Sequence, residues 1–461
     1  MHLLKYTEGW TRRHFLEQTA KGIVAAGVLA PLFDTIANTG SCEAAYPPEL
    51  LSIEAYTKGK LKEGQELNAE NVDLVKDILD PITYWAFKHD SLVADLVPQT
   101  RKADWLVPKA YLDATFHNQG KFKIFPDGNL YTLDHKPWTG GAPFPKPTNA
   151  LEILYSNVLA WSKQDSEMGC VHEWNTDADG NIQYEYESFY VEYLTVGRLV
   201  NDPKPYLPGH ESQLRYSPAW LAAPEDTMGT SFLQIFPYDQ RLFPEFYGYL
   251  PLLKRTRTFP NNQRFEPQLP GETTFASDAW MTGDPLLTWG DFKIIGKGPL
   301  LGGVHGNSRV EEKGWLLPTC GGKTGKKYFR AKLQLIPECY ICELSPTHYP
   351  RAPISKKRIW FDARTIYPFT MVAYDRQGKP WQLYQGGGDA YRKTPNAVQW
   401  NNDLPDEWVG WSYFHSMDIQ SRRMTRAQIV PEIQGGYKLG INQNRYLEEY
   451  CSMDALRRLG R

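Results

Sequence analysis

The chain lacks several features that would assign it to a common class. Its clearest apolar run, Gly22 to Phe33, has 12 residues, whereas a membrane-spanning helix needs about 20. No Gly-x-Ser-x-Gly motif occurs, so the signature of an α/β-hydrolase nucleophile is missing. The 10 histidines include no pair at metal-ligand spacing. A formal net charge of -2 gives no electrostatic reason to expect nucleic acid as a partner.

Cysteines are few, and their spacing is uninformative. The six lie at positions 42, 170, 320, 339, 342 and 451. Cys339 and Cys342 have the CxxC spacing of redox and zinc sites, but they stand in a strand-like run whose i and i+3 side chains point to opposite faces. Structural cysteines are therefore favoured, and a bond of one of them to Cys320 or Cys170 stays open.

Two loop motifs resemble cofactor sites without completing them. The segment 321–327 (GGKTGKK) lacks the first glycine of a phosphate-binding loop, so it predicts a hairpin turn with exposed lysines. The segment 175–180 begins like a calcium loop, but Tyr186 stands where a bidentate glutamate is required. The sequence therefore predicts turns at both places, and no cofactor or metal.

The most informative positive feature is a pair of arginines near the start. Arg12 and Arg13 are followed by Phe15 and Leu16 and then by the apolar run. This pattern is typical of a twin-arginine export signal, although Glu17 replaces the usual final lysine. The alternative is a cytoplasmic amphipathic helix, but the run is apolar on every face. The expected location is the periplasm, with association to the outer membrane left open.

The end of the signal sets the expected domain boundaries. Cleavage after Ala44 would follow small residues at the last and third-last positions. An alternative is that Cys42 accepts a lipid. We expect a signal peptide over 1–44, an irregular segment over 45–66 and one large domain over 67–461.

Most of the remaining sequence predicts β-strands. Aromatic residues make up 13% of the chain, with 15 Trp and 27 Tyr, and such residues suit strands. Charged and aromatic residues alternate over Gln183–Leu199, and the segment 375–379 (DRQGK) predicts a hairpin turn. Consecutive hairpins without intervening helices indicate an antiparallel meander. The expected fold class is mainly antiparallel β with a few helices (α+β).

Three segments predict helices. The clearest begins at Thr148 and has one apolar stripe, formed by Leu151, Leu154, Tyr155, Val158 and Leu159. A second is capped by Asn68 and ends at Pro81, and the third covers Asn442–Leu459. Seven prolines between residues 98 and 148 predict strands or loops there, without a long helix.

Several motifs resemble those of one family. They are Gly141–Pro147 before the Thr148 helix, Asn71–Leu79, Tyr249–Arg257, and Lys357–Asp362 followed by Tyr374–Trp381. In their order along the chain they resemble the periplasmic domain-of-unknown-function family 1329, over about residues 65 to 450. Leu252-Leu253 departs from the family, which tends to have a glycine-polar turn there.

The resemblance implies a LolA/LolB-like fold, in which a curved antiparallel sheet forms a half-open barrel with helices on its concave side. It implies a non-enzymatic carrier or chaperone for a hydrophobic or lipid-like ligand. It also implies an inner-membrane exporter of the resistance-nodulation-division type and an outer-membrane protein as partners. No catalytic residues are known for the family.

The helix stripe is the predicted ligand-contacting element. Leu151, Leu154, Tyr155 and Val158 would line the groove or cover it, although an ordinary core-facing stripe has the same pattern. Two other functions stay open: a carbohydrate-binding or carbohydrate-active protein, which the aromatic content suggests, and a structural component of an envelope export complex.

Overall fold

The structure, a computed structural model, describes Glu43 and residues 46–102, 106–159, 161–260, 264–278, 281–282, 285–304, 316–392 and 407–460. Arg12, Arg13, Phe15, Leu16, Cys42 and Ala44, the predicted signal and cleavage residues, lie outside these ranges. Within them, none of the helices combines the length and apolar character that crossing a bilayer requires.

The described chain contains 22 strands and six α-helices. The strands are β1 Glu66–Leu67, β2 Ala94–Leu96, β3 Phe122–Ile124, β4 Leu130–Thr132, β5 Ser166–Thr176, β6 Ile182–Leu194, β7 Gln213–Ala223, β8 Ser231–Pro237, β9 Glu245–Leu250, β10 Arg255–Thr258, β11 Gly290–Gly303, β12 Thr319–Cys320, β13 Tyr328–Phe329, β14 Lys332–Ser345, β15 Ile354–Asp362, β16 Pro368–Asp375, β17 Pro380–Arg392, β18 Glu407–Asp418, β19 Met424–Ile429, β20 Glu432–Ile433, β21 Tyr437–Lys438 and β22 Gly440–Ile441. The helices are α1 Ile53–Tyr56, α2 Pro81–His89, α3 Lys109–His117, α4 Ala150–Val158, α5 Tyr446–Tyr450 and α6 Met453–Leu459.

One 16-stranded sheet dominates the fold. Its order is β1-β2-β14-β15-β16-β17-β18-β19-β5-β6-β7-β8-β9-β10, with β11 also paired to β14 and β22 to β5. Two antiparallel meanders, β14 to β19 and β5 to β10, are joined where β19 pairs with β5. Of the pairs described, only β2 with β14 is parallel. The predicted fold class, mainly antiparallel β with a few helices and an open sheet, is confirmed.

Helix α4 shows that the sheet is strongly curved. The Asn157 side-chain amide donates to the Ile366 carbonyl between β15 and β16, and Arg215 on β7 donates to the Val158 carbonyl. Strands β16 and β7 are six positions apart in the sheet, which is about 29 Å along a flat sheet. One helix about 10 Å wide can contact both only if the sheet curls around it. The face that contacts α4 is therefore concave.

Other helices pack on the opposite, convex face. Ile82 and Phe87 of α2 share a buried cluster with Trp360 of β15. Leu456 of α6 shares another with Trp220 of β7. The expectation of helices on the concave side thus applies to α4 and to α3, whose Tyr111 belongs to the cluster around α4, while α2 and α6 cover the convex face at the two ends of the sheet.

Two helices that were not predicted begin at a proline or directly after one. Pro81 begins α2 instead of only ending the preceding helix, because proline suits the first helical position and the Asp80 carboxylate accepts from the amides of Ile82 and Thr83. In the same way, Pro108 stands directly before α3, inside the proline-rich region where no long helix was expected. The stripe after Asn68 forms a 3-10 helix over Val72–Ile78.

The other predicted elements are present. Asn149 caps α4 by accepting from the Glu152 amide. The turn before β6 is held by Asp177, whose carboxylate accepts from three backbone amides. The segment 375–379 closes the β16–β17 hairpin. The predicted third helix is divided into α5 and α6.

The structure tests two further expectations, the exposure of the lysines in segment 321–327 and the pairing of the cysteines. Lys323 and Lys326 are exposed as expected. The expected exposure of Lys327 is wrong, because its side chain is fully buried beside Asp90. The five described cysteines are all buried and free, so the bond to Cys320 or Cys170 that was left open is not formed. Cys339 faces the cluster on the convex side and Cys342 the one around α4.

Candidate functional site

The predicted stripe of α4 lies in the core. Leu154, Tyr155 and Val158 are at most 1% exposed, and Leu151 is half-buried. The Tyr155 hydroxyl donates to the Gly128 carbonyl at 2.7 Å. The stripe belongs to a buried cluster with residues from both meanders of the sheet, such as Tyr340 on β14 and Leu194 on β6. In this conformation, three of the four residues have almost no surface left for a ligand.

Half-buried aromatic rings lie elsewhere on the concave face, on the central strands. They are Tyr384 on β17, Trp411 and Phe414 on β18, and Tyr190 on β6. The Tyr384 and Phe414 rings stack with centroids 4.7 Å apart. Trp411 lies 5.8 Å from Phe414 and 6.2 Å from Tyr190. We call these four residues the aromatic row.

A glycine explains how Tyr190 reaches across the sheet to Trp411. Gly169 on β5 is the cross-strand partner of Tyr190. A Cβ at Gly169 would lie 2.2 Å from the Tyr190 Cε1 atom, so the tyrosine ring occupies the space that a side chain would take. The glycine thus lets the ring lie flat over β5, which connects the two ends of the row.

Hydrogen bonds fix one end of the aromatic row. The Trp411 indole N–H donates to the Tyr190 hydroxyl at 2.7 Å, and that hydroxyl donates to the Glu167 carboxylate. Burial, followed by the charge of Glu167, raises the pKa of Tyr190 well above its usual range. The tyrosine is therefore a neutral donor at physiological pH, and the two rings are held in place.

A small cavity adjoins this end of the aromatic row. It measures about 10 Å³ and is lined by Lys163, Glu167, Tyr367 and Trp411, among others. That volume suits about one water molecule. Burial lowers the pKa of Lys163 to about 8. A cation and a carboxylate thus lie beside partly accessible aromatic surface.

Two glutamates lie on the concave side near β19. Burial raises the pKa of Glu173 to about 7, against the opposing hydrogen bond from Asn175. Burial and the charge of Glu173 raise the pKa of Glu272. The segment that carries Glu272 crosses the concave face, where Thr273 is hydrogen-bonded to Ser416 and Thr425.

Glu173 should make the protein less stable as the pH rises. Its pKa in the folded state lies above the usual 4.5, so its contribution is complete below pH 4.5 and is lost as the pH rises through about 7. At about 1.4 kcal/mol per pH unit, the loss reaches up to about 3 kcal/mol. We expect Glu173→Gln to match the wild type at pH 4.5 and to exceed it at pH 8 in urea unfolding. The exposed Glu63→Gln control should show no such divergence, and parallel stability curves for Glu173→Gln would contradict the assignment.

The aromatic row suits the binding of a hydrophobic molecule. Across the described ranges, no three His, Cys, Asp or Glu side chains form a group that could hold a metal ion. The aromatic row offers apolar ring surface with a hydrogen-bonded edge. Such a surface can hold a hydrophobic molecule and orient one polar group.

Sequence patterns did not reveal the aromatic row. Alternation in β6 indicated Tyr184, Tyr186, Phe189 and Tyr193, and strand aromatics were expected mainly in the core. Tyr190 belongs to the site because Gly169 lies opposite it. That pairing can be recognised only when the register between β5 and β6 is known. The one available signal was a glycine within a strand pattern, which marks a close approach.

The fold is an open antiparallel sheet that curves around α4 and the elements packed with it, and the aromatic row lies on its concave face. The family model DUF1329, described as a protein of unknown function, matches residues 66–457. The chain belongs to this family, as its motifs predicted.

Comparisons with solved structures give weak similarities. A DUF1329 family protein from Desulfovibrio piger is 12% identical, with a TM-score of 0.40, and the alignment covers 67% of this chain and 100% of that one. A LolA superfamily protein from Nitrosomonas europaea is 12% identical, with a TM-score of 0.34 and coverages of 64% and 95%. No curated protein sequence matches significantly.

Proposed function

We propose that the protein is a non-enzymatic carrier or chaperone that holds a hydrophobic, lipid-like ligand on the concave face of its sheet. The observation that carries this proposal is the aromatic row, four half-buried rings on the inside of the curl. Apolar surface that stays partly accessible inside a concave face is a common place for a ligand. Burying each CH₂ group of a chain there gains about 0.8 kcal/mol.

Binding of cis-parinaric acid, a fluorescent fatty acid, tests the proposal. We expect Trp411→Ala to weaken binding about tenfold, because it removes ring surface and the hydrogen bond to Tyr190. The matched control is Trp85→Ala, since Trp85 is also half-buried but lies on convex-face helix α2. Equal affinities of the two variants would contradict a ligand on the aromatic row.

Native mass spectrometry of the protein purified from its own host gives the ligand class. A copurifying lipid supports the carrier. A ligand-free mass together with binding on a glycan array would favour the carbohydrate-binding alternative instead. A ligand-free mass without glycan binding would leave the structural export component as the better account.

We further propose that Leu151, Leu154, Tyr155 and Val158 line or cover the ligand space. Because three of them are buried in the core, this role requires α4 to shift away from the sheet when a long ligand enters. The closed arrangement would then be the empty state of the carrier.

The proposed setting is the periplasm. Arg12, Arg13, Phe15 and Leu16 would direct export by the twin-arginine route, and cleavage would follow Ala44. The proposed partners are an inner-membrane exporter of the resistance-nodulation-division type and an outer-membrane protein. A fluorescent reporter fused after residue 44 should lose export when both arginines are replaced by lysine, and retained export would contradict this route.

A further inference from the structure

The turn between β9 and β10 exposes two adjacent leucines. Leu252 is 92% exposed, the highest value among the described large hydrophobic residues, and Leu253 is 44% exposed. Both belong to a 3-10 turn, Pro251–Leu253, which ends at Lys254 in the left-handed region with φ of 49°. β9 and β10 pair in regular register on either side, with Arg255 opposite Leu250. The leucines are therefore presented by an ordered hairpin.

Cations surround this tip. Lys254, Arg255 and Arg257 are exposed on the hairpin itself. The last turn of α6 carries the exposed Arg457 and Arg458, and Gly460 after it packs against the Tyr249 ring at the end of β9. We call the two leucines and these five cations the leucine turn.

The carboxylates close to the leucine turn do not cancel its charge. Arg457 is paired with Asp454 at 2.5 Å. Glu225 and Asp226 lie in the neighbouring β7–β8 turn, at the same end of the strands. Glu449, whose backbone carbonyl accepts from Arg458, is itself paired with Arg445. The three cations on the hairpin directly follow the leucines.

We infer that the leucine turn docks the protein on an anionic lipid surface. Leucine side chains at a rigid tip can enter the interface between headgroups and acyl chains, where their exposed apolar area is removed from water. Each Lys or Arg near an anionic membrane adds attraction that salt screens. A protein partner adding a strand to β10 fits less well, because this edge has only four residues and two of them are arginines.

Sedimentation with vesicles tests the inference. We expect the purified protein to bind vesicles of phosphatidylcholine mixed with phosphatidylglycerol, and to bind pure phosphatidylcholine vesicles much less. The double variant Leu252→Ser, Leu253→Ser should lower the partition coefficient about 30-fold. The control is Leu133→Ser, since Leu133 is 65% exposed at another site. Lys254→Gln with Arg255→Gln should reduce the preference for the anionic vesicles.

Three results would overturn the inference. They are a protein that stays in the supernatant with both vesicles, a leucine double variant that binds like the wild type, and equal binding to both lipid compositions. Because the leucine turn lies outside the aromatic row, the double variant should keep its affinity for cis-parinaric acid. Failure of membrane docking and failure of the carrier proposal are thereby distinguishable.

Discussion

Replacing Asp90 with alanine should lower the free energy of unfolding by about 3–5 kcal/mol, because it would strand a buried positive charge. The Asp90 carboxylate is the acceptor for the Lys327 ammonium, for the Tyr328 hydroxyl at 2.6 Å and for Arg422 at 2.8 Å. The side chains of Asp90 and Lys327 are 3% and 0% exposed. Burial lowers the pKa of Lys327, and Asp90 opposes this effect.

Urea unfolding at neutral pH measures this prediction. The control is Asp73→Ala, which breaks the exposed pair with Lys88 and should cost no more than about 1 kcal/mol. Replacing both partners, Asp90→Asn with Lys327→Met, should recover much of the loss because no buried charge is left unpaired. A single Asp90→Ala variant as stable as Asp73→Ala would show that the pair is unimportant.

Leu154→Ala should cost about 2–5 kcal/mol, the usual range for truncating a fully buried leucine. Leu151→Ala on the same helix should cost less, since Leu151 keeps part of its surface in water. Urea unfolding of the two variants measures both free-energy changes. Together they measure how firmly α4 is held in the curl of the sheet.

The same variant tests the proposed movement of α4. If the closed helix competes with the ligand, weaker packing favours the open state, and cis-parinaric acid should bind up to about tenfold more tightly. Leu151→Ala should change affinity less. An unchanged affinity in a folded Leu154→Ala protein would remove α4 as a lid and leave the aromatic row as the proposed site.

Local patterns predicted much of the fold. The period of the α4 stripe and the turn residues at 375–379 act within a few residues, so they can be read from the chain. The helix that begins at Pro81 was not predicted, because a proline can follow one helix and also begin the next, and the capping residue Asp80 is what marks the new start.

Long-range pairing was beyond these patterns. β19 pairs with β5, about 250 residues earlier in the chain, for example where Thr425 lies opposite Asn175. Only this pairing makes one curved sheet of two meanders. The burial of Lys327 likewise depends on Asp90, which is 237 residues away. The predicted stripe of α4 was located correctly in sequence, but its complete burial depends on both meanders of the sheet.

The five buried cysteines have a practical consequence for labelling the leucine turn. Burial raises the pKa of each of their thiols, so little reactive thiolate forms at neutral pH. In the described part of the chain, a single cysteine introduced at Leu252 would therefore react with a maleimide dye far faster than the native thiols. Because the described native thiols react slowly, one dye attached at the exposed tip could report the environment of the leucine turn with little labelling elsewhere.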